Sequence, residues 1–552
     1  MQMAVAALGS VPAPPQAAIA SAHPAATSAG REILEAGGNA FDAAIAVAAA
    51  LAVVEPYSSG IGGGGFFLLH RAADGHETMI DAREKAPAAA TVDMYLDERG
   101  EFVRERSLNG PLSSAIPGTP AGLVHLADHY GRLSLKESLE PAIRLATNGF
   151  IVKARYHRMA RFRQSAMVVY PSTAAIFLGD DNHAELGEVI KQPDLANTLR
   201  LLAEQGTAGF YRGEIGYRLI AGVRAHGGIW TQKDLNDYEV VEREPVIINY
   251  GGIRIVTAPP PSSGGVAMAE AFNILSQFDL GAMTPNTRRH IVIEAMRRAY
   301  RDRAEYLGDP DHVEIPLAQL LSVDYAKFLA GDISIDHATP SEALRPIGVS
   351  KGEDTTHFSV LDTQGNRVAA TLSVNYPFGA VFVPDGTGVL LNNEMDDFSA
   401  RPMTPNAYGL VGVDANAIAP GKRPLSSMTP TFLETGNRVG ILGTPGGSRI
   451  ISMVMIGILD FASGNKPESW VRAKRYHHQY LPDEVQFELG GLTKDEQLDL
   501  RQRGHRLREN NRNYGNMHAI LWRQSKGEVS AASDPRGEGS ADVFDVSIAH
   551  QR

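Results

Sequence analysis

One short segment of the sequence combines a nucleophile with the conditions that would activate it. From Asp354 to Val360 (DTTHFSV) apolar and hydroxyl side chains alternate, which indicates a strand. The preceding stretch, 331–354, is polar and charged and carries two prolines, as is typical of a linker. If the chain were cut before Thr355, its own α-amine, with a pKa of about 7.7–8, could serve as the base. The alternative is an ordinary threonine at the start of a core strand.

Two later segments carry groups suited to oxyanion and ammonium binding. The strand-like run 439–443, the turn containing Gly446 and Gly447, and an apolar run from Ile450 have strand–glycine–helix order. Backbone N–H groups in such a turn can converge on an anion or a developing oxyanion, although a plain tight turn fits equally well. The acidic stretch 394–397 follows a predicted strand. It would suit an ammonium group or a hard metal such as Ca²⁺, or it is a solvated turn.

Other motifs in the sequence are weaker indications of function. The glycines of 60–65 satisfy G-x-G-x-x-G, but a helix precedes and a strand follows, so backbone packing near a site is favoured over dinucleotide binding. The G-x-S-x-G match at 348–352 lies in the polar linker and is interpreted as chance. His125 and His129 lack the Glu of a zinc motif and are predicted to be a surface pair. Arg83 closes a strand and could clamp a carboxylate, or form a surface ion pair.

Hydrophobic patterning predicts the elements that would position these groups. Asn39 is placed to cap a very apolar helix ending near Val54. The other predicted helices cover 31–36, 134–149, 194–206, a segment from Val266, and a charged amphipathic stretch 288–306. Predicted strands cover 66–70, a segment ending at Arg83, 251–258, 388–392, and closely spaced segments after Thr355. Strands and helices on both sides of residue 355 suggest sheets sandwiched between helices.

A predicted hairpin fixes the position opposite Thr355. The element 362–366 has the form of a three-residue loop with Gly365 at the left-handed position. If Asp362 and Asn366 flank that loop, Thr355 lies opposite Ser373 across the ladder. A slip of one residue would put the two side chains on different faces.

Composition excludes several classes of protein. The 552 residues carry a formal net charge of −11, which argues against binding to nucleic acid. The chain has no cysteine, so disulfides, thiolate zinc sites and a cysteine nucleophile are excluded. The longest apolar run, 43–54, is too short to span a bilayer. No Lys or Arg precedes Arg31, so the charged start of a signal peptide is missing, and the protein is either cytoplasmic or has a signal peptide that this sequence lacks.

Taken together, these motifs resemble those of the γ-glutamyltranspeptidase (glutathione hydrolase) family, from about residue 18 to the C-terminus. The resemblance is carried by segments on both sides of Thr355: 35–44 (EAGGNAFDAA), 62–66 (GGGGF), 259–265 (PPPSSGG), 354–360, 391–399 (LNNEMDDFS), 423–431 (RPLSSMTPT) and 443–448 (GTPGGS). It implies the α+β fold of N-terminal nucleophile hydrolases, a four-layer αββα sandwich. It also implies self-cleavage between Asp354 and Thr355 into a large subunit, 1–354, and a small catalytic subunit, 355–552.

The resemblance also assigns roles to individual residues. Thr355 is the expected nucleophile, Ser373 should place a hydroxyl within its reach, and Gly446 and Gly447 are expected to stabilise the oxyanion. The residues expected to hold the substrate α-carboxylate are Arg83, Ser426 and Ser427, and those expected to hold its α-ammonium are Asn375, Glu394 and Asp397. Some bacterial relatives have Gln in place of Glu394, so this ammonium pocket is expected to be more acidic.

The implied activity is hydrolysis or transfer of γ-glutamyl groups from glutathione, glutamine and related amides to water or to amino-acid and peptide acceptors. No cofactor, metal, nucleic acid or membrane span is implied, and the location common in bacteria is periplasmic or secreted. The segment 402–419, with Tyr408, resembles a lid loop and favours small substrates over poly-γ-glutamate. The alternatives are a glutaryl-type cephalosporin acylase of the same fold and a non-cleaving γ-glutamyl peptide binding protein.

Overall fold

The computed structural model describes residues 13–179, 183–344, 355–399 and 414–546. Within these ranges the strands are β1 (Ala17–Ser21), β2 (Gly64–Arg71), β3 (His76–Ala82), β4 (Phe150–Ile151), β5 (Val189–Ile190), β6 (Val241–Arg243), β7 (Val246–Tyr250), β8 (Ile253–Thr257), β9 (Thr356–Leu361), β10 (Arg367–Ser373), β11 (Thr431–Glu434), β12 (Arg438–Gly443), β13 (Tyr476–His477), β14 (Val485–Phe487), β15 (Leu507–Glu509), β16 (His518–Arg523), β17 (Glu528–Ser533) and β18 (Ser540–Phe544).

Helices flank these strands along the chain. Their bounds are α1 (Pro24–Glu35), α2 (Ala40–Val54), α3 (Arg104–Leu108), α4 (Thr119–His129), α5 (Leu135–Asn148), α6 (Ala154–Met167), α7 (Pro171–Phe177), α8 (Pro193–Gln205), α9 (Ala208–Tyr211), α10 (Gly213–Ala225), α11 (Gln232–Asn236), α12 (Gly264–Leu275), α13 (Pro285–Tyr306), α14 (Leu317–Leu320), α15 (Val323–Gly331), α16 (Ile450–Ala462), α17 (Pro467–Arg472) and α18 (Lys494–Gln502). Among the described helices, none combines the length and the hydropathy needed to cross a bilayer.

Two antiparallel sheets form the centre of the protein. The first has the strand order β18-β1-β9-β10-β2-β3-β6, and the second β17-β16-β12-β11-β8-β7. In the first sheet, β9 and β10 lie between β1 and β2, so strands that follow residue 355 are enclosed by strands from the N-terminal part. In the second sheet, β11 pairs with β8, which again joins the two parts of the chain.

The layers pack in the predicted order. Side chains such as Phe66 and Leu68 of the first sheet and Phe432 and Ile441 of the second form an apolar layer between the sheets. Helices α1, α2 and α4 pack on the outer face of the first sheet, and α5 packs on α2. Helices α12 and α16 pack on the outer face of the second, and α13 packs on α12. The predicted αββα sandwich is therefore confirmed.

The hairpin register is also confirmed. The N–H of Asp362 donates to the carbonyl of Asn366 at 3.1 Å, and Gly365 has φ +93°, so the loop has three residues with glycine in the left-handed region. Strand pairing runs from Leu361 opposite Arg367 to Thr356 opposite Leu372. The next pair in this register is Thr355 and Ser373.

The helix predictions were correct in kind but not in every detail. The side chain of Asn39 accepts from two N–H groups of α2, and Asp42 bonds back to the Asn39 N–H, which completes a capping box. Helix α1 begins at Pro24 rather than Arg31, because His23 caps it and proline suits a first turn. The charged helix predicted at 288–306 is present as α13, but some of its charges are buried: Glu294 pairs with the buried Arg298.

The strand predicted at 388–392 is wrong. The structure has no regular strand there, although Leu391 exchanges backbone hydrogen bonds with Ala380 and Phe382. Gly386 and Gly388 both have positive φ, which breaks the extended conformation that a ladder requires. The segment is buried all the same, and it leads directly into the acidic stretch at 394.

Candidate active site

A small pocket gathers nearly all the predicted site residues. It is lined by Thr355, Ser373, Asn375, Glu394, Asp397, Leu425, Ser426, Ser427, Met428, Gly447 and Ile450. Among the predicted site residues that the structure describes, only Arg83 and Gly446 are outside this lining, and Arg83 bonds to two of its members. The pocket volume is about 20 Å³, which is room for about one water molecule. The groups therefore lie close enough to contact one another.

Thr355 and Ser373 are placed by the ends of β9 and β10. Both side chains are buried, and the Ser373 hydroxyl accepts the N–H of Asn375 at 2.7 Å. Asn375 has φ +72°, in the left-handed region that asparagine tolerates better than most residues. Its side-chain amide donates to the carbonyl of Asn393 at 2.9 Å. The strand end is thereby connected to the acidic turn that follows Asn393.

The glycines of 60–65 allow backbone segments to approach this strand end. A Cβ added to Gly63 would lie 2.0 Å from the Ser373 carbonyl oxygen, and one added to Gly62 would lie 2.1 Å from that of Leu390. Either side chain would push the neighbouring backbone away. The glycine run therefore serves close backbone packing near the site, as the order of its flanking elements indicated.

Arg83 is enclosed by the acidic turn. Its guanidinium donates to Glu394 and, at 2.5 Å, to Asp397, while its Nε donates to the carbonyl of Pro424 at 3.1 Å. Arg83 and Glu394 are almost completely shielded from solvent. The two alternatives without a functional role, a surface ion pair for Arg83 and a solvated turn for 394–397, are both wrong. Burial of these charges is possible because the guanidinium and the carboxylates neutralise one another.

The buried charges shift one another's pKa values. Burial raises the pKa of Glu394 to about 7; the Arg83 charge opposes that shift and the Asp397 charge reinforces it. Burial also raises the pKa of Glu84 well above its usual range, helped by the charge of Glu394. Glu394 therefore changes its charge near pH 7. Burial acts to lower the pKa of Arg83, but the surrounding carboxylates outweigh it and Arg83 stays charged.

The loop that carries Ser426 and Ser427, called the serine loop below, is held by hydrogen bonds from the segment 259–265. The hydroxyl of Ser263 donates to the carbonyl of Ser426 at 2.6 Å, and that of Ser262 donates to the carbonyl of Met428 at 2.6 Å. From α13, Arg303 donates to the Ser427 hydroxyl at 3.3 Å. The proline–serine–glycine motif therefore holds the loop that carries two predicted carboxylate ligands.

The glycine turn after β12 has the predicted strand–glycine–helix order. Gly446 and Gly447 have φ of +142° and +53°, both in the region that favours glycine, and α16 follows at Ile450. A Cβ on Gly446 would lie 2.5 Å from the Met453 side chain. Gly447 lines the same pocket as Thr355, which brings the predicted oxyanion turn and nucleophile together.

Sequence reasoning missed Glu55, which directly follows α2. This buried carboxylate accepts the hydroxyl of Thr356 at 3.0 Å and that of Tyr57 at 2.9 Å. Burial raises the pKa of Glu55, while the nearby charge of Arg155 lowers it. Glu55 thus holds the residue that follows the predicted nucleophile. The available signal was an acidic residue closing an otherwise apolar helix, just before Pro56.

Several predictions fall wholly or partly outside the described residues. These are Asp354 of the predicted cleavage bond, the G-x-S-x-G match at 348–352, and the part of the lid-like loop that contains Tyr408. The end of that loop is described. Asn416 donates to the carbonyl of Asp397 at 2.7 Å and accepts the N–H of Leu425 at 3.0 Å, so it contacts the rim of the pocket.

Metal-ligating residue types meet at two other places among the described residues. The two groups are His290, Glu294 and His505, and His70, Glu77 and Glu434. In the first, Glu294 pairs with Arg297 and Arg298. In the second, Arg254 pairs with both carboxylates. Guanidinium groups therefore neutralise the acids in each group. His125 bonds to Glu242 at 2.7 Å, as expected for a surface histidine.

Comparisons with known proteins agree with one another. The family model for gamma-glutamyltranspeptidase matches residues 26–544. The glutathione hydrolase proenzyme of Escherichia coli (strain K12) is 41% identical over 530 residues, covering 94% of this chain and 90% of the relative. The crystal structure of cephalosporin acylase from Bacillus halodurans superposes with a TM-score of 0.85 at 29% identity, covering 96% of both chains. A solved chain of Helicobacter pylori gamma-glutamyltranspeptidase superposes with a TM-score of 0.58 at 39% identity, covering 59% of this chain and 94% of that one.

Replacing Arg83 tests whether the buried charge cluster holds the pocket together. Arg83→Met leaves the buried Glu394 and the partly buried Asp397 without their cation, so we expect the free energy of unfolding to fall by about 3–5 kcal/mol. Urea denaturation measures this change. The control is Arg144→Met, which removes an exposed ion pair with Glu32 and should change little. Equal stability of the two variants would contradict this account of the pocket.

Proposed function

This chain belongs to the γ-glutamyltranspeptidase family, and on that premise we propose that Thr355 is its nucleophile, released by cleavage of the precursor before that residue. The chain is an enzyme of γ-glutamyl hydrolysis and transfer. The observation that carries the proposed site is the meeting of Thr355, Arg83, Glu394 and Asp397 around one pocket.

The charges of this pocket suit the γ-glutamyl group. That group carries a carboxylate and an ammonium on one carbon, so its site needs a cation and anions side by side. Arg83, helped by Ser426 and Ser427, would hold the carboxylate, and Glu394 and Asp397, helped by Asn375, would hold the ammonium. The substrate would take over the contacts that these charged residues now make with each other. Each charge-assisted contact contributes about 1.5–3 kcal/mol.

Acylation would begin at the Thr355 hydroxyl. Its oxygen attacks the γ-carbonyl carbon while the free α-amine of Thr355 accepts the hydroxyl proton. The negative charge on the former carbonyl oxygen would be stabilised by the backbone N–H groups of Gly446 and Gly447. The intermediate then collapses: the carbon–nitrogen bond breaks, the leaving amine takes the proton, and a γ-glutamyl ester of Thr355 remains. Ser373, the next residue opposite Thr355, would orient the nucleophile.

Deacylation reverses these steps with a different nucleophile. Water gives glutamate, and the amine of an amino acid or peptide gives a new γ-glutamyl amide. Glutathione and glutamine are the proposed donors. We place the enzyme in the periplasm or outside the cell. The loop 402–419, which includes Asn416, would restrict the site to small donors.

Cleavage between Asp354 and Thr355 would divide the protein into a large subunit, 1–354, and a small catalytic subunit, 355–552. Two observations support this division. Thr355 stands directly before β9, where an N-terminal nucleophile is expected. The solved Helicobacter pylori chain covers 59% of this chain, a share close to that of residues 1–354.

An acylase for glutaryl side chains is the second candidate. It is favoured by the similarity to the Bacillus halodurans cephalosporin acylase and to the acylase ACY 1 proenzyme of Pseudomonas sp. (strain V22), which is 35% identical over 536 residues. Glutaryl groups lack the α-ammonium, so they would leave Glu394 and Asp397 without a cation to bind. The higher identity to glutathione hydrolases and these two acids favour γ-glutamyl substrates.

Maturation is tested by replacing the nucleophile. The purified protein should run as two fragments on a denaturing gel, and N-terminal sequencing of the smaller one should begin at Thr355. Thr355→Ala should stay one inactive chain, because the attacking hydroxyl is gone. Thr355→Ser keeps a hydroxyl and should still be cleaved. An uncleaved Thr355→Ala protein with normal activity would refute the mechanism.

The pH dependence of binding is tested through Glu394. Below pH about 7 this carboxyl gains a proton and loses the charge that attracts the ammonium, so KM for a γ-glutamyl anilide should rise as pH falls through that range. Glu394→Gln should raise KM about tenfold at pH 8 and abolish the further rise of KM at lower pH. The control, Asp396→Asn, changes an acid that is hydrogen-bonded to Ser107, and it should keep the rise of KM at lower pH. Identical KM profiles for the wild type and Glu394→Gln would exclude this role.

The substrate class is tested with paired anilides. We expect kcat/KM for the γ-glutamyl anilide to exceed that for the glutaryl anilide by about tenfold or more, because only the former carries an ammonium for the two acids. Release of the aniline is followed by absorbance at matched concentrations. A preference for the glutaryl compound would instead establish the acylase alternative.

A further inference from the structure

A second pocket adjoins the proposed active site. Its volume is about 310 Å³, at the small end of the range for small-molecule sites, about 300–1,000 Å³. Gly446 lines this pocket, and Gly447 lines the pocket of Thr355. The two pockets therefore lie next to each other at the turn expected to bind the oxyanion. A group in the second pocket would lie next to the reacting carbonyl.

The second pocket is strongly basic. Four of its lining residues are arginines, and no described lining residue is acidic: Arg155, Arg158, Arg512 and Arg536. The first two lie on one turn of α6, and the other two come from loops far along the chain. Positive side chains from three separate segments thus converge on one space, in a protein whose net charge is −11.

The walls of this pocket are held by the surrounding structure. Arg536 donates to Glu488 at 2.7 Å and to Asp534 at 3.1 Å, which fixes its direction. The guanidinium of Arg155 lies 5.6 Å from the ring centre of Tyr57, the residue that bonds to Glu55. Arg158 is exposed and lies one helical turn from Arg155. The pocket therefore combines anchored guanidinium groups with an accessible one.

We propose that this pocket binds the carboxylate of the amine partner: the amino acid or short peptide that leaves the γ-glutamyl donor or attacks the acyl-enzyme. This inference rests on the proposed function. With the α-carbon end of the γ-glutamyl group held at Arg83 and its γ-carbonyl at the glycine turn, the amine must extend away from the first pocket. The second pocket adjoins that turn, and its arginines suit a free C-terminal carboxylate, which guanidinium groups bind through paired hydrogen bonds.

The transfer step balances without any further reactant. The acceptor's neutral amine nitrogen attacks the ester carbon of γ-glutamyl-Thr355, forming a carbon–nitrogen bond. The bond from that carbon to the Thr355 oxygen breaks, and the proton lost by the amine returns to this oxygen through the α-amine of Thr355. The carboxylate of the acceptor takes no part in these bonds. It would act only by holding the amine next to the ester carbon.

Two acceptors with the same attacking amine test the proposal. Glycylglycine carries a C-terminal carboxylate, and glycylglycinamide does not. With γ-glutamyl-p-nitroanilide as saturating donor, chromatography gives kcat/KM for formation of each γ-glutamyl peptide by the full, mature protein. We expect a preference of about tenfold or more for glycylglycine, the effect of one or more charge-assisted contacts. In Arg158→Gln/Arg512→Gln this ratio should fall towards one.

The ratio is insensitive to loss of active protein, since both acceptors compete for the same acyl-enzyme. The matched control is Arg161→Gln, which removes an exposed arginine of α6 that does not line the pocket and should keep the wild-type ratio. Equal use of the two acceptors by the wild type, or an unchanged preference in the double variant, would overturn the inference. Failure of the wild type to release p-nitroaniline would instead overturn the proposed function.

Discussion

Arg83 carries its guanidinium into a part of the protein that water does not reach, and the surrounding groups are arranged to neutralise it. A cation without a partner would be very unfavourable there. Two carboxylates from the turn 394–397 and backbone carbonyls of the serine loop supply the partners. A buried ion pair of this kind contributes little net stability compared with an apolar core. In the proposed function its value lies in recognition, because a zwitterionic ligand would exchange partners with it while leaving no charge unpaired.

The position of the proposed nucleophile is likewise set by its buried neighbours. Thr355 stands at the end of a strand in the middle of the first sheet, with its neighbours fixed by ladder bonds and by Glu55. Backbone segments without side chains approach it closely, since Gly63 leaves no room for a Cβ beside Ser373. The hydroxyl of the proposed nucleophile, the glycine turn and the charged pocket therefore belong to one closely packed framework. Such a framework is what positioning a carbonyl for attack requires.

The parts of this arrangement that could be predicted are those set by local geometry. The loop at 362–366 has few possible turn conformations, so its length and Gly365 fix the pairing of β9 with β10. The cap at Asn39 and the strand–glycine–helix order near Gly446 are also local. These features were therefore visible before the structure.

Features that depend on contacts between distant segments could not be obtained from the residue types alone. Arg83 and Glu394 are 311 residues apart, and each by itself fitted a solvated surface. Family resemblance was needed to bring them together. Burial of charged side chains on helix α13 could not be foreseen for the same reason, because the hydrogen-bond partners of Arg297 and Arg303 lie in other segments of the chain. Glu55 and the arginine-lined pocket were missed since no short motif marks either one.

The strand order has a consequence for how such an enzyme must be made. Strands β9 and β10 are enclosed by β1 and β2, and the second sheet likewise joins segments from both sides of residue 355. Neither part holds all the described strands of either central sheet, so neither would present a finished core if synthesised alone. The uncut polypeptide would therefore have to fold as one unit, and the proposed cleavage would come last. Once both central sheets had formed, separating the two pieces would require unfolding them.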